Sequence, residues 1–131
     1  MGTGTFSVST GSRMEFVDIT SRVQKEIVRS GTSDAVCYIY NPHTTAGLTI
    51  NEGADPAVQD DIIGVFKQVI PSNYPYKHME GNSPAHIMAS LMGSSVTVFV
   101  ENGRLVLGTW QKIFFCEFDG PRSRKVIWKM V

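Results

Sequence analysis

Residues 96–107 read VTVFVENGRLVL. Val96, Val98 and Val100 alternate with Thr97, Phe99 and Glu101, the period of two with which a strand turns successive side chains to opposite faces. Asn102-Gly103 occupies the two-residue slot before Leu105 and Leu107 resume the alternation, and Asn-Gly is the pair that best tolerates the positive φ angles of a type I′ turn. The stretch predicts a β-hairpin. Antiparallel pairing is thereby set for this part of the chain.

Downstream, residues 110–118 and 125–130 are rich in aromatic and β-branched side chains and read as further strands, with a turn at Gly120-Pro121 between them. Upstream, Ser83-Pro84 reads as a cap and first-turn proline for a short helix that runs through Met92. Asp55-Pro56 opens another helix, in which Val58, Ile62, Val65, Phe66 and Val69 repeat at helical spacing until Pro71 ends it. Ser72 to Asn82 has no period and reads as a long polar loop of the kind that carries function. Gly47 to Asn51 and Ala35 to Tyr40 read as strands, the second stopped by Asn41-Pro42 because proline removes a ladder donor. Thr20 or Ser21, with Gln24 completing a capping box after Ser21, starts a helix whose Val23, Ile27 and Val28 share a face and whose end is Gly31. Phe6, Val8 and Thr10, a turn at residues 10–13 and an extended run from Met14 to Ile19 suggest an opening hairpin. The whole reads as one α+β domain over residues 1–131, mostly antiparallel strands with two or three helices on one face.

Twelve basic and twelve acidic side chains cancel, and no like-charge run exceeds Asp60-Asp61, so the chain lacks the footprint that follows a phosphate backbone. Nucleic acid and membrane surfaces are poor partners for it. Ser83 to Val100, the longest uncharged stretch of the second half, is broken by Ser, Thr, Gly and His and is unsuited to a bilayer. The beginning, MGTGTFSVSTGSR, lacks the basic and apolar regions of an export signal, and a cytoplasmic protein is expected. Charged residues make up 18%, against about 25% in an average domain, which favours self-association. Cys37 and Cys116 lie in apolar runs and read as small buried hydrophobes.

His43 in NPHTTAG, His78 in YKHMEGN and His86 in SPAHIM all fall in or beside loops, and the loop bearing His78 feeds the helix bearing His86. Three imidazoles at about 2.0–2.1 Å from an ion leave one coordination place open, the pattern of a catalytic centre. No HxH or HExxH forces that convergence, so three histidines each hydrogen-bonded locally is the alternative. Thr44 and Thr45 lie beside His43, and Asn51 and Glu52 end the next strand. This last pair can orient an imidazole, hold a substrate amine or act as acid and base, or can simply form a turn before a helix. Arg122 and Arg124 in DGPRSR, the amides after Ser83 and the turn at residues 93–95 offer donors to an anion, with Arg122–Asp119 pairing as the plainer reading. Trp110 is expected in the core, with stacking on a heteroaromatic substrate as its alternative.

HTTAGLTINE (43–52), HMEGNSPAHI (78–87), NGRLVLGTWQ (102–111) and CEFDGPR (116–122), taken together and in order, resemble the YjbQ family, also described as secondary thiamine-phosphate synthases. The resemblance spans nearly the whole chain. It implies a strongly bent sheet, a homotrimer, and a cluster of His43, His78 and His86 holding a divalent metal ion: zinc first, with manganese, iron, nickel or magnesium as alternatives. It implies a transferase activity, weak and secondary, that joins a hydroxymethylpyrimidine pyrophosphate to a thiazole phosphate. On that reading Asn51 and Glu52 are catalytic, and Thr44, Thr45, Asn82, Trp110, Gln111 and Arg122 bind the small phosphorylated substrate. Two other classes fit the same residues: a metal-dependent hydrolase of another phosphorylated or cyclic metabolite, and a trimeric ligand-binding protein without catalysis.

Overall fold

A computed structural model describes residues 2–131. Their elements run in the order β1 (Thr3–Ser9), β2 (Glu15–Asp18), α1 (Thr20–Ser30), β3 (Ala35–Tyr40), β4 (Ala46–Glu52), α2 (Pro56–Val69), α3 (Ser83–Met92), β5 (Ser95–Glu101), β6 (Arg104–Leu105), β7 (Gln111–Glu117) and β8 (Ser123–Met130). The strands make a curled antiparallel sheet in two sections, ordered β1-β8-β3-β5-β6 and β2-β7-β4. The Asn102-Gly103 turn takes φ of 51° and 75°, and β5 pairs with β6 through Val100↔Leu105 and Glu101↔Arg104. The α+β class and the bent antiparallel sheet are as expected.

Two apolar clusters explain the curl. Phe6, Val8, Ile39, Val98, Val126 and Trp128 from the five-stranded section meet Leu48, Ile113 and Phe115 from the other, with Val23 and Ile27 of α1 packed among them. Phe114, Cys116 and Phe118 bury their side chains in the second cluster, against Ile70, Ala85 and Met88 around α2 and α3. Strand β7 is thus covered on both faces, which is why its sequence is a continuous apolar run and does not alternate. Burial keeps both thiols protonated, pushing Cys37 up to about 11 and Cys116 higher still, so the two free cysteines act as packing groups.

Four local expectations are corrected. β1 and β2 form strands but not a hairpin: β1 pairs with β8 and β2 with β7, because the turn after Ser9 carries the chain from one section to the other. Ile19 is the N-cap of α1 and no side chain caps it. Gln24 instead bonds Gly103 O at 2.7 Å and the Leu105 N–H at 3.0 Å, pinning the β5-β6 turn, and Thr20 Oγ1 accepts from Ile113 N–H. Asn82, one residue before the expected Ser83, is the N-cap residue of α3, and no side chain caps that helix either. Trp110 is 61% exposed and belongs to no core. The other helix signals hold: Asp55 accepts from Ala57 N–H at 2.9 Å with Pro56 at the first position of α2, and Gly31 ends α1 at φ 69°. Among the described residues no helix is long and apolar enough to cross a membrane.

One ionic contact ties the two sections together. Glu117 ends β7, Arg124 lies on β8, and their side chains are 0% and 4% exposed. The Glu117 carboxylate accepts from Arg124 Nε at 2.7 Å and from Arg124 Nη2, from Thr10 Oγ1 at 2.8 Å and from Asp119 N–H at 3.0 Å. Burial by itself would push this carboxyl up, but the guanidinium and the other donors outweigh burial and hold it below its ordinary value. A carboxyl depressed in the folded state contributes stability that is fully present above its unfolded value, about 4.3, and is lost as pH falls through the folded-state value. Thermal melts in a pH series should therefore show a falling midpoint on acidification below about pH 4. Glu117→Ala strands a buried guanidinium and should cost about 3–5 kcal/mol in urea unfolding at neutral pH.

Candidate functional site

The site begins where β3 stops. Asn41 is 1% exposed and binds its own loop: Nδ2 donates to Ala46 O at 2.7 Å and to His43 O at 3.3 Å, and Oδ1 accepts from His43 N–H at 3.0 Å. Its backbone N–H reaches Ser94 O at 2.8 Å. The turn over residues 41–46 is thereby fixed on four backbone groups, and His43 stands on it. His43 Nε2 accepts from the Lys125 N–H of β8 at 2.9 Å, which locks the ring against the sheet. Burial, followed by the charge of Arg124, pushes the His43 imidazole below its ordinary range, with Glu117 opposing, so the ring is neutral at pH 7.

His86 lies in the first turn of α3, and α3 is seated on β4 by a close approach. Leu48 N–H donates to Gly93 O at 3.0 Å, and a Cβ on Gly47 would stand 2.9 Å from that same oxygen and from Met92 Cβ. A residue without a side chain is required there. His78, on the loop before α3, places its ring 5.3 Å from that of His86 at 87°, and its Nε2 is 3.9 Å from Glu80 Oε2.

The three histidines, Thr44, Thr45 and Asn82 border one hollow of about 390 Å³ that Arg122 and Arg124 also line. Arg124 reaches it from below, with Nη2 bonded to Thr45 Oγ1 at 2.9 Å as well as to Glu117. Arg122 does pair with Asp119, Nη2 to Oδ2 at 2.9 Å, while its head stays half in solvent. The same Asp119 oxygen accepts from Asn82 Nδ2 at 2.9 Å, leaving Asn82 Oδ1 buried without a donor. Thr44, Thr45, Asn82 and Arg122 thus line the same hollow as the histidines. A larger hollow of about 760 Å³ lies elsewhere, between α1 and the Asn102-Gly103 turn; Arg104 is the one ionisable residue of its described lining, and Gln24 there is bonded to Gly103 O and the Leu105 N–H.

The remaining sequence candidates are not brought to this pocket. Asn51 and Glu52 end β4 and pair in register with Lys112 and Gln111, about 20 Å along the strand from its pocket end at Ala46. Asn51 Oδ1 accepts from Glu52 N–H, Gln111 Oε1 from Gly108 N–H, and Trp110 O from Gly53 N–H. They form a second, separate patch.

A shared metal ion needs three lone pairs aimed at one point. Among the described residues no three His, Cys, Asp or Glu side chains group closely enough to hold one. The in-plane lone pair of His43 Nε2 is already taken by Lys125 N–H. The three imidazoles border one hollow but, so arranged, do not fit a three-imidazole metal centre. Asn41 and Glu117 carry the site and were not singled out in the sequence. For Glu117 a signal existed: a carboxylate inside IFFCEF, flanked by buried apolar residues, must find a buried counter-charge.

A family model described as UPF0047 protein YjbQ-like matches residues 4–131. The chain is similar to the UPF0047 protein YugU of Bacillus subtilis, 49% identical with 97% of each chain covered. It is also 49% identical to a UPF0047 protein of Methanocaldococcus jannaschii over 96% of this chain and 91% of that one. Among solved structures, a YjbQ/UPF0047-family protein of Clostridium acetobutylicum superposes with a TM-score of 0.94 at 54% identity, covering 97% of this chain and 98% of that one. A protein of Aeropyrum pernix gives 0.93 at 37% identity, covering 100% and 98%.

Asn41→Ala removes three hydrogen bonds that hold the His43 loop while leaving the strands on either side intact. It should lower stability by about 1–3 kcal/mol, and amide hydrogen exchange should speed up selectively at residues 43–46 and at Lys125.

Proposed function

This chain belongs to the UPF0047 YjbQ-like family, and from that membership we propose that its histidine and arginine pocket is the active site of a transferase of thiamine-phosphate synthase type, acting on small phosphorylated metabolites. The observation that carries the reading is the meeting of two guanidinium groups with three imidazoles around a hollow of about 390 Å³, a size that suits a phosphorylated metabolite. In the reaction, the bond between the pyrimidine methylene carbon and the pyrophosphate oxygen breaks. The thiazole nitrogen gives its lone pair to that carbon, and pyrophosphate leaves with the bonding electrons. Negative charge grows on the departing oxygens, and preorganised donors near them lower the barrier. Arg124 and Arg122 supply fixed positive charge, Thr44 and Thr45 supply hydroxyls, and the exposed His78 with the half-buried His86 protonates the leaving group.

Asn51, Glu52, Trp110 and Gln111 enter this chemistry through assembly. The outward face of the five-stranded section exposes Tyr38, Tyr40 and Phe99, the last 61% exposed, and this aromatic face runs up to the pocket, since only Asn41 and Pro42 separate Tyr40 from His43. Such a patch favours burial against another copy. In a head-to-tail homotrimer the patch at one end of β4 meets the pocket of the neighbouring copy, with Asn51 or Glu52 on the pyrimidine amine and Trp110 stacked on its ring.

Incubation with the pyrimidine pyrophosphate and the thiazole phosphate should yield thiamine phosphate and pyrophosphate in equal amounts. Arg122→Ala and His86→Ala should each slow the reaction about a hundredfold without shifting the melting temperature. Pyrophosphate or phosphate released without the thiazole partner would replace the transferase reading by a hydrolase. Mass measurement in solution should give three times the 14.5 kDa of one chain. A monomer at micromolar concentration would remove the shared site.

A further inference from the structure

We infer that His43 serves this pocket as a neutral hydrogen-bond donor through Nδ1, acting with Nη1 of Arg124 on one phosphate group, and that it is not a metal ligand. The starting point is a broken strand pairing. β3 pairs with β8 as far as Tyr40↔Ile127, and continuing the register would set Pro42 opposite Lys125. Pro42 leads the chain away, so the Lys125 N–H has no strand carbonyl to meet, and His43 Nε2 takes that place at 2.9 Å.

The rest follows from the chemistry of imidazole. A neutral ring has one bare nitrogen and one N–H. With the lone pair of Nε2 accepting from the backbone, the proton sits on Nδ1. A metal ion could bind Nε2 only by displacing the Lys125 N–H, or Nδ1 only by displacing its proton. An oxyanion needs neither change, since Nδ1–H has no acceptor among the described residues and remains a free donor. The charge beside His43 acts in the same sense: Arg124 and Arg122 border the same hollow and attract an anion, with Glu80, on the His78 side, the one carboxylate of its lining.

Arg124 is equally constrained. Its Nε and Nη2 are spent on Glu117 and Thr45, and Nη1 is left without an acceptor among the described residues. Lys125 and Arg124 are consecutive on β8, so the residue that fixes the imidazole and the residue that supplies the guanidinium are placed by one short length of strand. Two donors held by a rigid strand are suited to bind a phosphate group and to stabilise the charge that grows on it. This role rests on the active-site reading above and deepens it.

The test uses the purified full chain, inorganic phosphate as probe, and two variants chosen for geometry. His43→Gln can still accept from Lys125 N–H but removes the donor at the Nδ1 position. His43→Asn places an amide N–H at that position. Nitrogen NMR of labelled histidines should show His43 protonated at Nδ1 and bare at Nε2. By calorimetry His43→Gln should bind phosphate about tenfold more weakly at unchanged melting temperature, and His43→Asn should stay close to wild type. A proton on Nε2, a zinc-induced shift of the His43 Nε2 signal, or wild-type phosphate affinity in His43→Gln would each overturn this role alone. Failure of the wild-type protein to bind phosphate or pyrophosphate would remove the active-site reading, and this role with it.

Discussion

The buried pair of Glu117 and Arg124 is the constraint on which the site depends. Placing two charges away from water costs several kcal/mol for each unless both are fully engaged. Here the carboxylate takes four donors and the guanidinium gives two of its three nitrogens to protein acceptors. The energetic return of such a pair over two apolar residues is small. Its structural return is large: it fixes the end of β7 against β8, joining the two sections of the sheet at the place where the histidines gather. Arg124 is thereby held in one orientation, with its unspent nitrogen available to a ligand.

Around that anchor the site is built by short loops bound to rigid strands. Asn41 spends its side chain on the loop that carries His43, and the Lys125 amide holds the ring itself. Gly47 lets α3 lie close enough to β4 to bring His86 to the same hollow. The loop bearing His78 is the least tied of the three: the His78 side chain is 43% exposed and stands beside the carboxylate of Glu80 and the ring of His86. The arrangement therefore grades from groups fixed against the sheet at His43, Thr45 and Arg124 to a freer pair of imidazoles at the mouth.

Several features of this molecule are legible in the order of its residues because they depend on neighbours in the chain. Asn102-Gly103 makes its turn wherever the strands end up, since positive φ at both positions is a local requirement. Asp55-Pro56 starts a helix for reasons contained in four residues, and Gly31 ends one likewise. The opening hairpin and the capping box at Ser21 fail for the opposite reason. β1 prefers β8, more than a hundred residues away, and Gln24 prefers the β5-β6 turn; neither preference leaves a mark in the local pattern. Trp110 shows the same limit, because a large ring next to a strand reads as core until its neighbours in space are known.

The sequence by itself determined the α+β class, the β5-β6 hairpin, the opening of α2, the end of α1 and the family, because periodicity, turn chemistry and motif order are properties of contiguous chain. Only the tertiary structure decided how the site residues act. Folding gathered His43, His78, His86, Thr45 and Arg124 at one end of β4 and left Asn51, Glu52 and Trp110 at the other, a separation set by the length of a strand. It also assigned the lone pair of His43 to a backbone amide, since an imidazole accepts or donates according to what lies within 3 Å of each nitrogen, and that is a fact of space.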